Sequence, residues 1–148
     1  MSKILIVKAN VDLAMAAKAL EEDDEFFVQA AAYHTQQAIE KILKFVLENY
    51  GISYKRIHHV DTLASMLPSG QNIISEEQLD IIYDNAILLK GWESEVRYDT
   101  EYMAQRRTVV RMLEFAKTLY SVASAATDKS TCCVSDSDKP TLRRMKLD

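Results

Sequence analysis

The longest uninterrupted helical pattern in the chain is DEFFVQAAAYHTQQAIEKILKFVLENYG, residues 24–51. Asp24 is a favourable residue for a helix N-cap, and Gly51 is the residue type best suited to the left-handed position that follows a helix end. A helix of about 26 residues would be about 39 Å long. We therefore predict one long helix here, against which the rest of the chain packs.

This helix has three faces when its residues are placed at the helical period. An apolar seam faces the core and consists of Ile39, Ile42, Leu43, Val46 and Tyr50, continued by Ala32 and Gln36. A second apolar flank contains His34, Ala38 and Phe45, which predicts a second neighbour, either another helix or another subunit. The third face is a polar ridge of Gln37, Lys41, Lys44 and Glu48, whose lysines are expected to be solvated.

The composition favours a single domain of the all-α class. The chain has 148 residues, with only three glycines and two prolines to supply the turns that a many-stranded fold would need. Ala, Leu, Glu and Lys are abundant, and all four are good helix formers. A formal net charge of −4 gives no general attraction to nucleic acid phosphates or anionic lipids.

Cysteine, metal-binding and membrane signals are weak. Cys132 and Cys133 are adjacent, so a bond between them would need a strained ring, and no disulfide scaffold is expected. The sequence has no CxxC or HExxH spacing, so neither a metal nor a cofactor is predicted. The apolar run at residues 4–7 is too short for a signal-peptide core or a membrane span, which predicts a cytoplasmic protein without a membrane partner.

Helical spacing predicts further helices on both sides of the long one. They cover residues 10–22 with Asn10 as N-cap, residues 60–67, residues 76–90 with a capping box of Ser75 and Gln78, and a last long helix capped by Thr100. Whether the helix at residues 76–90 continues to Val96 is left open. Residues 1–9 fit an extended arm as well as the start of a helix. We predict an up-and-down antiparallel bundle of four long helices with one short helix in residues 1–125, followed by a disordered tail at residues 126–148.

One motif on the polar ridge carries a family resemblance. It reads Gln36-Gln37-Ala38-x-Glu40-Lys41-x-Leu43-Lys44, with Tyr33 before it and the helix end at Gly51 after it. Its surroundings continue upstream to Asp12, Leu13, Ala16 and Leu20, and downstream to His59, Leu63, Leu67 and the pair Arg97-Tyr98. In this order and spacing, residues 10–120 resemble the HEPN domains.

The resemblance implies a fold and several partners. HEPN domains are bundles of four to five helices, commonly dimeric, and many work with a small nucleotidyltransferase in toxin–antitoxin systems. For this chain, the resemblance implies a homodimer, a nucleotidyltransferase-type protein partner, and a nucleotide or RNA as ligand. The residues expected to bind the nucleotide are Gln37, Lys41, Lys44, His59 and Arg97.

The chain departs from the family at its ribonuclease motif. Some HEPN toxins cut RNA without a metal, using an arginine followed, after four to six residues, by a histidine. Arg97 matches the arginine, but the three permitted histidine positions hold Tyr102, Met103 and Ala104. Because tyrosine titrates near pH 10, it is a poor base at neutral pH. The standard mechanism is therefore not predicted, unless His34 or His59 approaches Arg97 in space.

Three hypotheses follow. The first is a non-catalytic HEPN module that binds a nucleotide or acts with a nucleotidyltransferase partner. The second is an RNA-cleaving toxin with an altered site, for which the catalytic candidates are Arg97, Tyr102 and His59. The third is a helical interaction scaffold without a ligand. In the simplest structural interpretation, Arg97 pairs with a neighbouring carboxylate of Glu93, Glu95 or Asp99.

Overall fold

The computed structural model describes residues 3–99 and 101–137, with side chains up to residue 126. All regular secondary structure in these residues is helical, which confirms the predicted all-α bundle. The helices are α1 (Ile4–Leu20), α2 (Glu25–Asn49), α3 (Val60–Ser65), α4 (Glu76–Asp84), α5 (Ala86–Tyr98) and α6 (Arg106–Ser137).

Helix α2 begins and ends where its sequence predicts. The Asp24 side chain accepts a hydrogen bond from the Phe26 backbone N–H at 2.8 Å, which caps the helix start. At the other end, Gly51 has φ +70°, its N–H donates to the Glu48 carbonyl, and the Ile52 N–H donates to the Leu47 carbonyl. This pair of bonds is a Schellman motif, and it turns the chain sharply into the loop before α3.

Helix α2 is the centre of the bundle and contacts α1, α3, α5 and α6. Its predicted seam is buried from Ala32 to Val46, whereas Tyr50 at the seam's end is 38% exposed. The second flank is also buried, because Ala38 and Phe45 are at most 1% exposed. Helix α1 contacts α2, and its Asp12 reaches His34 of this flank, so a neighbour on the second flank is another helix of the same chain.

Helix α1 begins earlier than the sequence predicts. It starts at Ile4 after Lys3, and no side chain caps it, so the prediction of Asn10 as N-cap is wrong. The ambiguous residues before Asn10 are helical because Ile6 and Ala9 are buried in the core. Burial of an apolar face can sustain a helix that lacks a capping side chain.

The predicted helix at residues 76–90 is two helices. Its start is confirmed, since Ser75 and Gln78 form the capping box at the beginning of α4. It breaks at Asn85, whose side-chain amide donates to the Ile81 carbonyl at 2.8 Å and so satisfies a carbonyl at the end of α4. The chain then resumes as α5, which extends to Tyr98, whereas α3 is shorter than predicted and ends at Ser65.

Helix α6 starts at the junction of α1 and α2. The guanidinium of Arg106 donates to the carbonyls of Leu20 at 3.0 Å and Glu22 at 2.8 Å. Thr100, predicted to cap this helix, lies outside the described residues. The helix continues to Ser137, past the start of the tail predicted from residue 126, because each added residue of an established helix gains a backbone hydrogen bond. The rest of the predicted tail, residues 138–148, also lies outside the described residues.

Candidate functional site

A cavity of about 430 Å³ opens between the first half of α2 and the end of α5. We call it the aromatic cavity. Its lining residues are Phe26, Gln29, Ala30, Tyr33, His34, Val96, Arg97, Tyr98, Asp99, Tyr102 and Met103. Phe26 and Tyr98 are 76% and 74% exposed, so aromatic rings that most folds bury are open to solvent here.

The guanidinium of Arg97 lies over two tyrosine rings at this cavity. Its guanidinium carbon lies 4.9 Å from the ring centroid of Tyr33 and 4.8 Å from that of Tyr98. Its Nε and Nη2 donate to the Glu93 carbonyl at 3.0 and 2.7 Å, and Nη2 also reaches the Glu93 carboxylate at 3.3 Å. The predicted pairing with Glu93 is confirmed. The two rings and Glu93 hold the planar cation of Arg97 at the cavity surface.

Tyr102 lies deeper, over Gly91. A Cβ added at Gly91 would be 3.2 Å from the Tyr102 hydroxyl oxygen and 3.0 Å from Glu95 Oε1, so a larger residue here would push these side chains aside by a few tenths of an ångström. Burial raises the pKa of Tyr102 above its usual value; Trp92 opposes the rise, and the Glu95 carboxylate adds to it. A tyrosine that holds its proton more tightly than usual is an even poorer base at neutral pH.

His34 reaches the same cavity, held by a carboxylate from α1. Its Nδ1 lies 2.8 Å from Oδ1 of Asp12, while the Lys41 ammonium donates to Oδ2 of Asp12 at 2.6 Å. Asp12 is only 7% exposed. We call these three residues the Asp12 cluster. A carboxylate on one ring nitrogen orients the imidazole and leaves the other nitrogen available as a hydrogen-bond acceptor or base.

A second cluster of the same composition lies further along α2. The buried Glu40 carboxylate accepts from Lys44 Nζ at 2.8 Å, and the same Oε2 lies 2.8 Å from Nδ1 of His58. Its other oxygen accepts from Gln36 Nε2 at 3.3 Å. We call Glu40, Lys44 and His58 the Glu40 cluster. The prediction that Lys44 is solvated is wrong, because the lysine is 9% exposed and its charge is neutralised by Glu40.

The Glu40 cluster borders a second cavity, of about 240 Å³, which we call the α3 cavity because the start of α3 forms one wall. Its lining residues are Gln36, His58, His59, Val60, Asp61, Thr62, Ala86, Ile87, Lys90 and Glu93. The two cavities are neighbours along the groove between α2 and α5. Gln36 is one turn from Tyr33 on α2, and Glu93 is one turn from Arg97 on α5.

The residues predicted to bind a nucleotide therefore do not share one site. Arg97 lies at the aromatic cavity and His59 at the α3 cavity, while Lys41 and Lys44 are held by Asp12 and Glu40. The side chain of Gln37 donates to Gln36 Oε1 at 2.8 Å. Of the catalytic candidates, Tyr102 shares the aromatic cavity with Arg97, but His59 does not line that cavity.

Several residues of the two cavities are not predicted from the sequence. His58 and His59 both follow the amphipathic helix, and that position in the sequence does not distinguish them. Phe26 and Tyr98 were not proposed as binding surfaces, and no periodic pattern marks them as exposed. His34 was assigned to an apolar flank, whereas the structure places it in the cavity of Arg97.

Comparison with protein families agrees with the helical fold. The sequence profile of the HEPN domain matches residues 2–126. The chain belongs to the HEPN family. Comparisons with curated proteins and with solved structures give no significant match.

The three positions after Arg97 where the HEPN ribonuclease motif permits a histidine lie at or beside the aromatic cavity. Tyr102 and Met103 line the aromatic cavity. Ala104 is buried, and its N–H and carbonyl bond the Gln29 side chain at 2.6 and 3.1 Å. Within the described residues, no group of histidine, cysteine or acidic side chains is arranged to bind a metal. The described helices include none with the length and hydrophobicity needed to cross a membrane.

Proposed function

We propose that this HEPN domain is a non-catalytic module that binds a nucleotide in the aromatic cavity. The observation that carries the proposal is the contact of the Arg97 guanidinium with the rings of Tyr33 and Tyr98. The base of a nucleotide has a flat π-face that stacks on exposed aromatic rings, and the phosphate of the nucleotide suits a planar guanidinium. The cavity offers both surfaces side by side.

Three features support a binding role over catalysis. The outer ring, Tyr98, is largely exposed, so a base can stack on it without displacing a buried residue. Among the described contacts, Nη1 of Arg97 has no hydrogen-bond partner, because its Nε and Nη2 make the bonds to Glu93. That nitrogen is available to a ligand phosphate. The raised pKa of Tyr102 removes the side chain at the motif position as a general base.

Titration calorimetry with AMP, ATP and GMP tests the proposal. Saturable binding is expected, and Tyr98→Ala should weaken it about tenfold, since stacking of one base contributes about 1–3 kcal/mol. Arg97→Ala should weaken binding at least as much. Arg107→Ala is the matched control, because Arg107 is an exposed arginine on α6 that does not line the cavity. Absence of saturable heat with all three nucleotides would refute the proposal.

Family membership supports two further parts of the proposal, a homodimer and a small nucleotidyltransferase as protein partner in a toxin–antitoxin-like system. Light scattering at micromolar concentration should give twice the mass of the chain. Co-expression with a nucleotidyltransferase encoded beside this gene should give a complex that survives gel filtration. A monomeric mass throughout that range would contradict the first part, and separate elution of the two proteins would contradict the second.

One observation favours a second candidate, cleavage of RNA at the same cavity. His34 lines the cavity with Arg97, and Asp12 binds its Nδ1. The free Nε2 could accept the proton of a ribose 2′-hydroxyl, whose oxygen then attacks the adjacent phosphorus. A 2′,3′-cyclic phosphate forms as the bond between phosphorus and the 5′-oxygen breaks, and the 5′-oxygen leaves with a proton taken from water. Arg97 would stabilise the charge on the phosphate.

Growth of bacteria that express the chain separates the two candidates. Cleavage predicts growth arrest that is relieved by His34→Ala and by Arg97→Ala. Arg107→Ala provides the control, because Arg107 is an exposed residue of α6 that lines neither cavity. Normal growth with the unchanged chain, together with intact RNA after incubation in vitro, would eliminate cleavage and leave the binding role.

A further inference from the structure

The α3 cavity has an acceptor that none of the contacts among the described residues uses. His58 presents Nδ1 to Glu40 at 2.8 Å, which is shorter than the 3.3 Å from Nδ1 to Lys44 Nζ. The shorter contact assigns the ring proton to Nδ1, which donates to the carboxylate. Nε2 is then a lone-pair acceptor, and no hydrogen bond to it is found among the described side chains. The His58 side chain is 58% exposed.

The remaining lining of this cavity suits the sugar and base of a nucleotide. Ile87, which is 89% exposed at the cavity edge, gives apolar surface. The carboxylate of Asp61 is an acceptor for the exocyclic amine of a base, and Lys90 is a cation for phosphate. A lone acceptor such as Nε2 of His58 fits a hydroxyl donor, and ribose supplies one at its 2′ position.

One ion pair has a member at each cavity. Glu93 lines the α3 cavity, Arg97 lines the aromatic cavity, and the two side chains are hydrogen-bonded to each other. One turn of helix separates them on α5, which is a rise of about 5.4 Å. Neighbouring nucleotides of one strand can reach both cavities across such a distance.

We propose that the α3 cavity is a second subsite of the same groove, so that the ligand is a ribonucleotide chain of at least two units. The first base stacks at Arg97 and Tyr98, and the next nucleotide lies at His58, whose Nε2 accepts a hydrogen bond from the ribose 2′-hydroxyl. His58 thereby selects ribose over deoxyribose. This inference rests on the nucleotide binding proposed for the aromatic cavity.

Calorimetry with AMP, the dinucleotide ApA and its deoxy form dApdA tests it on the full chain. ApA is expected to bind about tenfold more tightly than AMP, and dApdA is expected to lose most of that gain. His58→Ala should abolish the difference between ApA and dApdA while AMP affinity stays unchanged. His58→Gln retains a side-chain acceptor and should restore part of the difference.

A variant at the protein surface tests the second subsite even if the His58 variants fail to fold. Ile87→Asp changes an exposed side chain at the edge of the α3 cavity, so it should lower ApA affinity to that of AMP without affecting folding. Equal affinities of the unchanged chain for AMP and ApA would refute the second subsite and leave the proposed function standing. Equal affinities for ApA and dApdA would refute the role of His58. No binding of any of the three would refute the proposed function itself.

Discussion

The Asp12 cluster and the Glu40 cluster contain the same three kinds of side chain but join different parts of the molecule. Asp12 comes from α1 and binds His34 and Lys41 of α2, one on each oxygen, so this cluster joins two helices. Glu40 and Lys44 both belong to α2, and the third member, His58, comes from the loop before α3. The Asp12 cluster therefore fixes helix packing, whereas the Glu40 cluster fixes a loop.

Exposure separates the two clusters as well. Lys44 has 11% of its side chain exposed and Lys41 has 24%. The histidines differ in the opposite sense, at 22% for His34 and 58% for His58. The cost of losing a carboxylate depends on whether the lysine left behind can reach water. The Glu40 carboxylate is thus expected to matter more for stability, although its histidine is the more accessible of the two.

The largest effect is expected from Glu40→Ala. Removing one partner of a buried ion pair costs about 3–5 kcal/mol, because the other charge stays buried without compensation. Here Lys44 would lose its counter-ion, and His58 and Gln36 would lose their acceptors. Urea denaturation monitored by circular dichroism measures the loss.

The double variant Glu40→Leu with Lys44→Met is the control for this effect. It removes both charges and should recover most of the lost stability, since apolar residues often replace buried ion pairs without cost. If the Glu40→Ala chain unfolds at the same urea concentration as the unchanged chain, Lys44 must reach water by moving, and the contrast between the clusters disappears.

A smaller loss, about 2 kcal/mol, is expected from Asp12→Ala, since unpaired polar groups that are only partly buried cost about 1–3 kcal/mol. Lys41 and His34 can each turn toward solvent once the carboxylate is gone. The same urea experiment gives the value. Asp80→Ala, at an exposed position of α4, should change stability by less than about 0.5 kcal/mol. A loss for Asp12→Ala that exceeds the loss for Glu40→Ala would reverse the ranking.

Gly51→Ala tests how the loop reaches the Glu40 cluster, with an expected loss of about 1 kcal/mol. Gly51 has φ +70° with open space around it, so the cost is one of backbone conformation only. Because the turn at Gly51 directs the chain toward His58, NMR signals of His58 should shift and those of His34 should not. Gly70→Ala is the matched control: its surroundings are equally open, and no positive φ is required there. Equal losses at the two glycines would contradict this role.

Much of the fold could be predicted because its signals are local. Asp24, Gly51 and the Ser75–Gln78 box mark helix ends by hydrogen bonds within a few residues of each other, and all of them are found as predicted. The break at Asn85 was missed because asparagine tolerates both a helix interior and a cap, and the choice depends on packing of α5. The helical start of α1 depends likewise on burial.

The sites were harder to predict because their members meet only in three dimensions. Lys44 looked solvated by helical spacing, and only the position of α3 and its loop explains its burial. His34 and Arg97 are far apart in the chain, yet they line one cavity. Of the two neighbours His58 and His59, backbone direction alone decides that His58 reaches Glu40. No spacing rule distinguishes them.

The smallest effect is expected at Tyr54, which belongs to the loop of the Glu40 cluster and is only partly buried, so that solvent screens its interactions. Its ring lies 5.5 Å from Lys44 Nζ, and its hydroxyl donates to the Glu48 carboxylate. Burial, together with that hydrogen bond and the Glu48 charge, raises the pKa of Tyr54 from 10.0 to about 12. The folded chain therefore holds this proton more tightly than the unfolded chain does.

The sign of the pH dependence follows from that difference. The stabilisation is complete below pH 10.0, the unfolded value, and is lost as pH rises toward about 12. Urea midpoints measured from pH 9 to 12 should fall less for Tyr54→Phe than for the unchanged chain. Tyr83→Phe, which removes a hydroxyl from an exposed tyrosine of α4, is the control. If both variants follow the unchanged chain across this range, the Tyr54 hydroxyl does not stabilise the loop, and the loop depends on the contact between His58 and Glu40 alone.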